Sequence, residues 1–161
     1  MDSRADLLSR AVREHPVVVE PRTGHRCSNG AHAHLGDGRL ACWAVTSVRG
    51  ESDNPVGRAV DAELVGQPVP THVAARWSGG RATGSTRSPN FWELWCPTEV
   101  LAKLADVPMV VLAGAGPVTA SPVRRNQVEV HWVVRRFDDL VVAQGLSWAL
   151  STSELRTAEL T

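Results

Sequence analysis

The sequence predicts an α+β domain: an antiparallel sheet ending in a C-terminal hairpin, packed against a few short helices. Three observations carry this. Val128, Val130, Trp132 and Val134 alternate with Glu129, His131, Val133 and Arg135, the period of a half-buried strand. Asp138-Asp139 then separates that strand from the apolar run Leu140 to Leu150, which reads as its returning partner. Helical spacing appears in short pieces, as at Asp6–Glu14 and Thr98–Ala105.

In chain order, Leu8, Ala11 and Val12 fall on one side of the first helix, which stops before Pro16. Val17-Val18-Val19 reads as a short β-branched strand ended by Pro21. Gly24, Gly30, Gly36 and Gly38 make 22–39 loop-like. Leu40 to Val48 fits helix or strand. Val56 onward suggests a short helix or strand pair, and His72 to Trp77 a strand. Residues 78–89 are polar and rich in glycine and serine. Pro97 suits a first helical position and opens the helix Thr98 to Ala105, which closes before Pro108. Met109 to Ala113 then reads as a buried strand. With a two-residue turn, His131 pairs with Leu146, Trp132 faces Gly145, and Gln144 lies diagonal to His131. Ser151 or Thr152 with Glu154 caps a last helix, Glu154 to Leu160.

At 161 residues and 17.4 kDa the expectation is one domain, 1–161, large enough to fold on its own core. Seventeen basic and seventeen acidic residues cancel, which argues against a nucleic-acid binder working by bulk attraction to phosphate. No window approaches the ~18 apolar residues of a membrane span. The first ten residues lack the apolar core of a signal peptide, and three cysteines make no disulfide framework. The expected compartment is the cytoplasm, with free thiols.

Chemistry concentrates in one stretch. His25, Cys27, His32, His34 and Cys42 place five of the nine His and Cys residues in eighteen positions, where an even spread gives about one. Zinc takes four N or S ligands in a tetrahedron, and a glycine-rich loop can wrap it. The spacing Cys-x4-His-x-His-x7-Cys matches no common zinc finger, and no Cys-x-x-Cys pair fixes two corners at once. A set of solvated loop histidines is the plain alternative. Zinc and a free Cys42 nucleophile exclude one another.

Cys42 also has a second context. A thiol at a helix N-terminus is favoured as thiolate, and a helix from Cys42 through Val48 would supply that position. His131, on the polar side of its strand, is the candidate base, with Gln144 near enough to orient it. A cysteine between Ala41 and Trp43 is more often simply a small core residue. The string Cys42-Trp43-Ala44-Val45-Thr46-Ser47-Val48-Arg49-Gly50 resembles the nucleophile helix of bacterial papain-like cysteine peptidases. The later order is similar as well: a short helix (Glu99 to Ala105), a strand (Met109 to Leu112), then Val130-His131-Trp132-Val133-Val134, a hairpin, and Ser153-Glu154-Leu155. This resemblance covers roughly residues 40 to 157. It implies a papain-like half-barrel plus helix, and a cysteine-dependent hydrolase or transferase acting on an acyl or amide bond, without cofactor. Cys42 would be nucleophile and His131 base. Where the family orients its histidine with Asp or Asn, this chain has Val142-Ala143-Gln144, and a Gln cannot stabilise imidazolium as a charge. No glutamine precedes Cys42 as oxyanion donor; Asn29, His32 and His34 are the substitutes. The other reading is a non-catalytic binding or adaptor module with zinc in the 25–42 loop.

Two further signals carry less. Ala113-Gly114-Ala115-Gly116-Pro117 lacks the helix that a dinucleotide fingerprint requires, so it reads as a turn. Arg81, Arg87, Arg124-Arg125 and Arg135-Arg136 would bind phosphate only if the fold gathered them.

Overall fold

Ser3 opens the first helix, α1 (Arg4–Glu14), with a capping box: its hydroxyl accepts from the Asp6 amide at 3.2 Å, and its amide donates to the Asp6 carboxylate at 3.1 Å. Leu7, Leu8, Ala11 and Val12 form the buried face. Each large apolar side chain contributes about 1.5–3 kcal/mol on burial, against about 1 kcal/mol for a cap, so docking holds this helix in place. This computed structural model describes residues 2–23, 25, 30–45, 54–77 and 91–158.

Two antiparallel sheets follow. The first contains β1 (Val18–Pro21), β2 (Ala31–His34) and β3 (Arg39–Trp43) in the order β1-β3-β2. The second contains β4 (Gly57–Leu64), β5 (Val123–Arg125), β6 (Val128–Phe137) and β7 (Leu140–Ala149) in the order β4-β7-β6-β5. On one face of the second sheet, Val60, Ala62, Val142, Leu146 and Trp148 pack with α1 and with Ala33, Ala41 and Trp43 of the first sheet. On the other face, Ala59, Val130, Trp132, Val141 and Ala143 pack against α3 (Phe91–Ala105) and α4 (Met109–Ala115). Strand β7 is therefore covered on both sides, which is why its sequence is an apolar run without alternation.

The hairpin has the expected turn and register: His131 pairs with Leu146, Trp132 with Gly145, and Gln144 with Val133. Ser151 caps the last helix, α5 (Thr152–Ala158), by exchanging hydrogen bonds with Glu154. Among the described residues the strands form two antiparallel sheets and no barrel, so the half-barrel element of the expected fold is not observed there.

Several local expectations are corrected. Thr71–Trp77, read as a strand, is a helix (α2), with Val73, Ala74 and Trp77 directed to the core at helical spacing. Met109–Ala115 is likewise helical. Leu112 and Ala113 are buried while Val110 and Val111 are exposed, a split that a strand would not give. Helix α3 begins at Phe91 and carries Pro97 in its interior, six residues earlier than the proline suggested. The loop 22–39 contains β2, which turns into β3 through Gly38 at φ +87°, a conformation suited to glycine. Arg39–Trp43 is strand and not the start of a helix; residues 46–48 and the polar stretch 78–89 lie outside the described residues.

Candidate metal centre

Strand register brings the first two donors together. His32 on β2 lies directly opposite Cys42 on β3, and opposed residues of an antiparallel pair project from the same face. Ala41 and Trp43 flank Cys42 and point into the core between the sheets, so Cys42 points the other way. His25, from the connection between β1 and β2, reaches the same outer face. The imidazole rings of His25 and His32 meet edge to face at 4.9 Å. The ligand atoms of His25, His32 and Cys42 all lie within 4.8 Å of one another. Tetrahedral zinc with bonds of about 2.0–2.3 Å needs donors ~3.3–3.7 Å apart, so about 1 Å of adjustment closes the set.

The surroundings of His25 point to a ligand. Its Nδ1 lies 2.5 Å from the Glu20 Oε1, while its Nε2 is buried with no hydrogen-bond partner. A carboxylate that holds one imidazole nitrogen and presents the other to a metal is the usual outer shell of a metal-bound histidine. An orphaned buried ring nitrogen otherwise costs about 1–3 kcal/mol. Glu20 was not singled out by sequence. Only the strand β1, which sets Glu20 opposite Leu40 on the Cys42 side of the sheet, reveals it.

Of the residues expected to bind metal, His34 is exposed at the end of β2 and does not join the cluster. Cys27 lies outside the described residues. Cys42 takes part, in place of His34. In the structure Cys42 is disulfide-bonded, while Cys96 is a free, buried thiol. The expected set of free thiols is therefore corrected at Cys42.

The structure does not gather Cys42, His131 and Gln144 into one site. Cys42 is a strand residue on the outer face of the first sheet, whereas His131 stands on the face of the second sheet that packs against α1. His131 instead belongs to a buried ionic cluster. Its Nε2 lies 2.8 Å from Glu129 Oε1, and Glu129 also accepts from Arg4 at 3.1 Å and from Arg124 at 2.7 Å. Burial raises the Glu129 carboxyl, but the hydrogen bonds from His131, Arg124 and Arg4 together outweigh it and bring its pKa down to about 2. The His131 ring also packs edge to face on Trp148 at 5.3 Å. This cluster ties α1 and β5 to β6. Gln144 accepts from Arg135 at 2.7 Å, and its own amide nitrogen is buried without a partner. It is not hydrogen-bonded to His131 among the described contacts.

A second titratable group sits between β4 and α3. Lys103 donates to Asp61 at 2.8 Å and to the Val60 carbonyl at 3.2 Å. Burial raises the Asp61 carboxyl to about 8 against the pull of Lys103. Glu63 is raised to about 7 by burial first and the Glu99 charge second. No helix among the described residues is long and apolar enough to cross a membrane. No protein-family model matches this chain, and no curated protein or solved structure shows significant similarity to it.

Proposed function

We propose that this domain is a non-catalytic binding module organised by a zinc ion held by His25, His32 and Cys42. The observation that carries this reading is the state of His25: one ring nitrogen is held by Glu20, the other is buried without a hydrogen-bond partner, and the ligand atoms of His25, His32 and Cys42 lie within 4.8 Å of one another. Two imidazoles and a thiolate form a borderline-to-soft donor set, which selects zinc over the hard cations calcium and magnesium. Cys27, two residues from His25, is the sequence candidate for the fourth ligand. The donors come from β2, β3 and the connection after β1, so the ion would fasten that connection to the sheet. Its role would be structural, because binding free energy at such a site is also folding free energy. The metal-bound form requires Cys42 as thiolate, so it is a form of the reduced protein.

The test is metal analysis of the full chain, reduced and incubated with zinc, alongside melting with and without chelator. One bound zinc per chain and a chelator-dependent fall in melting temperature are expected. His25→Ala and Cys42→Ser should lose the metal, and His34→Ala should keep it. A reduced chain that takes up no zinc would overturn the reading.

A further inference from the structure

The cluster carries two chemistries at a single atom. The Cys42 sulfur lies among two imidazoles as a metal donor would, and it is also disulfide-bonded. A disulfide sulfur has no thiolate charge to give a metal, so the two states exclude each other. Resting on the zinc reading above, we propose that Cys42 is a redox switch for the metal: oxidation to the disulfide expels zinc, and reduction restores the site.

The balance is simple. A two-electron oxidant of the peroxide class accepts an electron pair from the Cys42 thiolate and a second cysteine thiolate. The S–S bond forms, the peroxide takes two protons and leaves as two waters, and the zinc departs. A small dithiol reductant reverses this: it becomes a disulfide while both cysteine thiols return, and zinc then displaces the Cys42 proton. The third cysteine cannot play this part. Cys96 lies fully buried in α3 on the far side of the second sheet, donates to the Val141 carbonyl, and has its thiol pushed well up by burial.

The experiment uses the reduced, zinc-loaded full chain. Hydrogen peroxide is titrated in, zinc release is followed with a chromophoric chelator, and intact mass reports disulfide formation as the loss of two hydrogens. One zinc is expected to leave for each disulfide formed. Dithiothreitol with added zinc should return both, and Cys96→Ser should behave like the wild type. A disulfide that forms while zinc stays bound would overturn the switch and leave the metal site standing. A reduced chain that never holds zinc would instead sink the underlying site.

Discussion

The carboxylate of Glu20 and the Nδ1 of His25 stand 2.5 Å apart, and this pairing leaves the buried, unpartnered Nε2 as the nitrogen open to a metal. The pair joins a strand residue to a loop residue, so the loop donor is oriented by a rigid element. Glu20→Gln keeps the side chain's shape but removes its charge. We expect zinc affinity of the reduced protein to fall about 10–100-fold, the usual cost of losing such a partner. Competition against a chromophoric chelator measures it. The metal-free protein should melt within a few degrees of wild type, and unchanged affinity would show that Glu20 has no part in orienting the ligand.

The raised carboxyl of Glu63 gives the fold a pH dependence of definite sign. Its pKa is about 7 in the folded chain and 4.5 as a free group, so the native state holds a proton that the unfolded chain has released. Stability from this group is complete below pH 4.5 and is lost as pH rises to about 7. Glu63→Gln removes the titration. The variant should gain on wild type across that window, reaching about 1–2 kcal/mol by pH 8 after screening by solvent. Urea unfolding at pH 5 and pH 8 measures the difference; an equal gain at both would contradict it.

Glu129 behaves in the opposite sense. Its carboxylate, held down to about 2 by His131, Arg124 and Arg4, contributes stability that is complete above pH 4.5 and lost as pH falls toward 2. Glu129→Gln removes the charge that Arg4 and Arg124 face and turns one acceptor oxygen into a donor, and should cost about 2 kcal/mol near neutral pH. The cost should shrink through the acid range, which a series of melts from pH 6 to about 3 would follow.

Gly145 of β7 lies directly under Val100 and Leu104 of α3. A Cβ added there would collide with Val100 Cγ1 and come within 3.0 Å of the His131 carbonyl oxygen. The backbone oxygen cannot yield, so Gly145→Ala should cost about 1–3 kcal/mol, a drop of roughly 3–10 °C in melting temperature. Gly114, inside α4 with nothing near its Cβ position, is the control. Gly114→Ala should be neutral or stabilising by up to about 1 kcal/mol. Equal effects at the two sites would show that crowding by α3 is not the cause.

Strand period and turn chemistry alone determine the β6–β7 hairpin, because alternation of Val and Trp with polar residues admits a single register across Asp138-Asp139. The enrichment of His and Cys over 25–42 is also present in the bare sequence, and with it the idea of zinc. Which of those residues converge is a tertiary matter. Strand alternation turns Cys42 away from the core and places His32 beside it, while His34, two residues on, sits exposed at the strand end. The same alternation separates Cys42 from His131, which no spacing along the chain could reveal, since they belong to different sheets. Short apolar segments such as Thr71–Trp77 and Met109–Ala115 carry too few residues to distinguish a period of 3.6 from one of 2. Packing against α3 and the second sheet decides those, because only there does one helical face find apolar partners.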